Sequence, residues 1–131
     1  MDDKEFARMV AEYMEKGFLE NIVDMFKHDK TLYPMIADLI KDERIRVRIG
    51  ATALIEELIK EDPKNVKKAL PYLLPLLNDS NPTVRGDVAN LVALLAPEEA
   101  EHYLKPLLND PNPEVSAFVS ELLREISDGK A

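Results

Sequence analysis

Glu98 and His102 stand four residues apart. On a helix that spacing puts a carboxylate and an imidazole on one face, where the two can share a divalent cation. Two ligands do not complete a site, however. The chain has no Cys and only one other His, His28. A surface i,i+4 pair accounts for Glu98 and His102. A place near the end of a helix accounts for His28, whose charged form favours the negative end of the dipole. No metal is expected. A second group is basic: Arg44, Arg46 and Arg48 stand with Lys41 in residues 41–68, which hold eight basic and six acidic side chains. Guanidinium groups take phosphates or acidic peptides, but no aromatic residue interleaves with these to stack a base. Solvated side chains account for the cluster. There is no Gly-x-Ser-x-Gly elbow, and the four glycines, Gly17, Gly50, Gly86 and Gly129, form no phosphate-cradling loop. The many carboxylates fall on faces expected to be solvated, where nothing tunes them for proton transfer. The sequence therefore gives no catalytic, cofactor-binding or metal-binding residue, and an enzyme is not expected.

Those side chains must be held by helices. Apolar residues recur at spacings of three and four, and no stretch alternates with period two. Phe6, Met9, Val10 and Tyr13 mark a helix over about 3–16, and Leu19, Ile22, Val23 and Phe26 another over about 18–29. Leu32, Ile36, Leu39 and Ile40 mark a third over about 31–41. Val47, Ala51, Leu54, Ile55 and Leu58 mark a fourth over about 43–61. Pro63 opens a fifth, to about Asn78, which Pro71 and Pro75 should bend or break by removing backbone donors. Asn81-Pro82 and Asn112-Pro113 each place an N-cap residue before a proline at the first helical position. They open helices over about 82–95 and 113–127, with another between them over about 97–109. The expected core includes Leu39, Ile40, Val47, Leu54, Leu58, Leu73, Leu76, Leu77, Val84, Val88, Leu91, Leu95, Leu107, Leu108, Val115, Leu122 and Ile126.

Three segments align without a gap: LIKDERIRVRIGATALIEEL from Leu39, LLNDSNPTVRGDVANLVALL from Leu76 and LLNDPNPEVSAFVSELLREI from Leu107. Asp42, Asp79 and Asp110 coincide, each five residues before Val47, Val84 and Val115. A period in this range marks stacked supersecondary units, because one helical hairpin cannot cover its own apolar face. In this pattern the sequence resembles the HEAT repeats. That family joins a proline-bent first helix to a second helix by a turn carrying Asp, with Arg or Lys six residues later. Asp42 with Arg48 and Asp79 with Arg85 match it, and Pro34 and Pro71 occupy the place of the proline. The third unit departs at both positions, with His102 and Ser116, as an end repeat can. The resemblance spans about residues 32–127. It implies an all-α fold: a short right-handed α-solenoid of about eight antiparallel helices. The single domain, 1–131, would comprise an N-terminal capping hairpin over 1–30 and repeats over 31–62, 63–96 and 97–127. It also implies a structural ladder, in which Asp42 and Asp79 accept bonds at the turns and Arg48 and Arg85 reach neighbouring repeats. One enzyme of this architecture, an iron-dependent hydroxylase of deoxyhypusine, needs several His-Glu dipeptides. Here only the reverse order, Glu101-His102, occurs.

The second helix of each pair would line an inner surface. With the core-facing residues set aside, the opposite strip carries Ile49, Thr52, Ala53 and Glu56. Next come Gly86, Ala89, Asn90 and Ala93, then Ala117, Ser120, Glu121 and Arg124. The candidate partner-binding residues are Arg46, Ile49, Ala53, Glu56, Gly86, Asn90, Ala93 and Glu121. Of 131 residues, 25 are acidic and 17 basic, a net charge of −8. Such a chain disfavours nucleic acid and favours a basic protein partner. The start, MDDKEF, lacks the features of a signal peptide, and no apolar run approaches the length of a membrane span. The expectation is a cytoplasmic, monomeric protein-interaction scaffold that needs no cofactor. The alternative is a small enzyme or ligand-binding accessory protein with its site on the inner helices.

Overall fold

The computed structural model describes residues 2–130, and among them every regular element is helical. The chain divides into two compact units, residues 1–69 and 70–131.

The first unit holds α1 (Asp3–Glu15), α2 (Leu19–His28), α3 (30–40) and α4 (Ile45–Glu61). Asp2 caps α1 by accepting a hydrogen bond from the Glu5 amide at 2.8 Å. Gly17, at φ +91°, lets the chain turn sharply into α2. Pro34 has no amide hydrogen, so α3 begins as a 3-10 turn over Lys30–Met35 and becomes α-helical only over Ile36–Ile40. The centre of this unit is α4, against which α1, α2 and α3 all pack. Val47, Ala51, Leu54, Ile55 and Leu58 form its buried face. Phe26 and Tyr33, both fully buried, meet edge-to-face at 5.7 Å beneath it.

Residues 63–78, taken as α5, are interrupted as Pro71 and Pro75 require. Short α-helices at Pro63–Val66 and Leu70–Leu73 alternate with 3-10 turns at Lys67–Ala69 and Leu74–Asn78. The boundary between the units falls within α5, after Ala69.

The second unit takes the rest of α5 and adds α6 (Pro82–Leu95), α7 (100–109) and α8 (Pro113–Glu125). Residues 70–78 pack on α6, α7 packs on both α6 and α8, and α6 packs on α8. Backbone geometry repeats here. Leu74–Asn78 and Lys105–Asn109 are both 3-10 turns opened by proline. Asn81 and Asn112 adopt nearly identical torsions, φ −89°, ψ 117° and φ −88°, ψ 117°. Each Asn side chain caps its helix, Asn81 accepting from Thr83 and Asn112 from Glu114 and Val115. The helix expected from 97 begins at Ala100 instead, because residues 96–100 form i→i+3 turns and Glu99 gives its helix no side-chain cap.

The core differs from expectation at four leucine and isoleucine positions. Leu108 is 39% exposed while Leu107 is buried. Successive residues of a 3-10 turn point about 120° apart, so the two cannot both face inward. Leu76, Leu122 and Ile126 are only half-buried.

Candidate functional site

The charged turns are built alike in both units. In the first, Arg48 Nη1 donates to the carbonyl oxygens of Asp42 and Glu43, both at 2.9 Å. In the second, Arg85 Nη1 donates to those of Asp79 (2.9 Å) and Ser80 (3.3 Å). Each turn Asp accepts from the amide two residues on: Asp42 from Arg44, Asp79 from Asn81 and Asp110 from Asn112. Arg85 then grips Asp110 with two prongs, Nε to Oδ1 at 2.8 Å and Nη2 to Oδ2 at 2.9 Å. This bond holds the Asp110 carboxyl below the usual carboxylate range and raises the Arg85 guanidinium.

Asp42 differs. Its carboxylate is held by Arg44 of its own turn, through Nε at 3.0 Å and Nη2 at 3.1 Å. Arg44 also reaches Glu12 of α1 at 2.7 Å. The bond from Arg44 is the main cause of the lowered Asp42 pKa. Arg44 and Arg48 thus serve the turn, and exposed Arg46 does not share their contacts. A second charged lock ties α2 and α3 to the end of α4. Lys30 donates to Asp62 at 2.5 Å, and Lys27 donates to Glu61 at 2.7 Å. The Tyr33 hydroxyl lies 3.5 Å from Asp62, and burial first, then that carboxylate, pushes its pKa up to about 12.

The remaining candidates lie on helix faces. On α4, Arg46, Ile49 and Glu56 are exposed and Ala53 is half-buried. On α6, Gly86, Asn90 and Ala93 are half-buried and line a groove against α8. One end of the groove, about 460 Å³, is formed by Pro82, Thr83, Gly86 and Asp87 with Asn112, Glu114, Val115 and Phe118. The other, about 410 Å³, is formed by Asn90, Ala93, Leu94 and Pro97 with Leu122, Glu125 and Ile126. The N-terminal halves of both helices border the first hollow and their C-terminal halves the second, so α6 and α8 run parallel.

One assignment made from the sequence is corrected here. Ala89, placed on the open strip, is fully buried. Glu121 does not line the groove; it is exposed and bonds Arg124 one turn on. A groove between two parallel helices is walled by opposite flanks of those helices. The α8 wall is therefore Phe118, Leu122 and Glu125, one position beyond Ala117, Glu121 and Arg124. Sequence reasoning missed these and Leu94; the available signal was Leu94 and Phe118, large apolar residues near the margin of the helical stripe.

Another hollow, of about 440 Å³ between α2 and α4, is lined by Leu19, Glu20, Val23, Asp24, Glu57 and Glu61. Among the described residues no group of three or more His, Asp or Glu side chains is arranged to hold a metal ion. His102 is exposed beside the Tyr103 ring, and His28 Nδ1 donates to the Asp24 carbonyl at 2.7 Å. No helix among the described residues is long and apolar enough to cross a membrane. Comparison with protein-family models, with curated proteins and with solved structures finds no match for this chain.

Proposed function

We propose that this chain is a non-catalytic interaction module of stacked, HEAT-like helical hairpins, and that the groove between α6 and α8 receives a segment of a protein partner. Support for the repeat reading comes from the three aligned segments and from the near-identical Asn81 and Asn112 turns. The observation that carries the function is the groove itself. Its two hollows lie one after the other along two packed helices and expose Leu94 and Phe118 at 37% and 41%. Its α6 wall carries small side chains that let a partner backbone come close. A wall pre-formed on regular helices loses little entropy on binding. The displaced titrations at Asp42, Asp62 and Asp110 trace to turn and inter-helix bonds, and that of Tyr33 to burial first, so each has a structural cause.

The test is affinity capture from the source lysate with the full chain and with a double variant, Asn90→Arg with Ala93→Glu. Both changes fall in the groove wall and leave the buried face of α6 intact. A protein captured by the original and lost by a folded variant is the expected result. Equal capture by both, or a small molecule retained in place of a protein, would overturn the assignment.

A further inference from the structure

We infer that the occupant of the α6/α8 groove is a basic amphipathic helix of about four turns. This rests on the groove reading above and adds the chemistry of the partner. Three observations converge on it.

The first is charge. The two hollows are lined by three carboxylates, Asp87, Glu114 and Glu125, and by no Lys or Arg. The field around them has the same sign, since residues 70–131 contain ten acidic and four basic side chains. Two of those four cations are already engaged, Arg85 with Asp110 and Arg124 with Glu121. A cationic segment is drawn to such a surface and an anionic one repelled.

The second is the placement of apolar surface. Phe118 stands in one hollow on the α8 wall and Leu94 in the other on the α6 wall. An occupant needs an apolar stripe that meets both and a charged flank on each side. That is the pattern of an amphipathic helix.

The third is dimension and relief. The α6 wall belongs to a helix of 14 residues, Pro82–Leu95, about 21 Å at 1.5 Å per residue, the length of roughly 14 residues of partner helix. Along α6 the lining residues recur at Thr83, Gly86, Asn90 and Ala93. These three- and four-residue steps keep the small side chains on one face of α6, where a partner helix can lie alongside. No β-strand among the described residues offers an edge to an extended peptide.

The experiment uses the full chain, isotope-labelled, and two synthetic 16-residue peptides. One has Leu at helical core spacing and Lys elsewhere; its twin has Glu in place of every Lys. The Lys peptide should bind at least about tenfold tighter than the Glu peptide and shift the amides of Ala93, Leu94 and Phe118. Glu125→Lys should weaken it several-fold, whereas Glu101→Lys, the same charge change on the exposed face of α7, should not. If both peptides shift the groove amides with equal affinity, the charge inference is overturned while the groove survives. If Glu101→Lys weakens binding as much as Glu125→Lys, the attraction is diffuse and the inference is overturned. If neither peptide reaches the groove but the captured protein still depends on Asn90 and Ala93, the occupant is not a basic helix. Loss of both effects sinks the groove reading as well.

Discussion

Arg85 and Asp110 show how single side chains hold the second unit together. Their side chains are only 12% and 3% exposed, and each atom of the pair has a bonded partner. Arg85→Met removes both prongs and strands a carboxylate that retains only the Asn112 amide. The variant should melt several degrees below the parent at pH 7. The pH dependence has a definite sign. Because Asp110 is held below its unfolded value of about 3.9, the bond contributes fully above that pH and is lost as pH falls through the lower folded value. Parent and variant should therefore converge in acid, as urea midpoints between pH 7 and pH 2 would show. Tyr33 gives the opposite limb. Its neutral form is favoured in the fold, so stability is full below about pH 10 and drains away as pH climbs toward about 12. Tyr33→Phe should flatten that alkaline loss. The Asp–Arg spacing was legible in the sequence, but Arg44 as the holder of Asp42 was not. Its bond to Glu12 spans 32 residues, and nothing local announces it.

At the level of helices, starts were legible wherever chemistry marked them. Asn81-Pro82 and Asn112-Pro113 begin α6 and α8 because Asn accepts the orphan amides and Pro lacks one. Removing the cap with Asn112→Ala should cost about 1 kcal/mol in chemical denaturation. The start of α7 was misread because Pro97 imitates such a signal without a capping side chain before it. Close approach between helices was not legible at all. Gly50 of α4 lies directly against Met14 of α1, and a Cβ there would collide with the Met14 Cγ and Sδ atoms. Gly50→Ala should destabilise the first unit by about 1–3 kcal/mol through overpacking. Met14→Ala in the same chain should recover part of that loss, so the two effects should be non-additive in a double-mutant cycle. The groove between α6 and α8 belongs to this level too. Its α6 wall could be read from Gly86, Asn90 and Ala93, but its α8 wall required knowing which flank faces the neighbour.

For the molecule as a whole, composition was the most informative quantity. A net charge of −8 with no Cys argues against a nucleic-acid surface or a thiolate centre before any helix is placed. It says nothing of where a partner would sit, because that depends on which carboxylates gather around exposed apolar side chains. Residues 70–131 combine both features along α6 and α8. The most direct test of this account is site-specific photocrosslinking in the source lysate, with a benzophenone side chain at Ala93 in one sample and at Glu101 in another. The account predicts a discrete protein adduct from position 93 and none of that mass from position 101. Equal adducts from both positions, or an adduct only from Glu101, would contradict it.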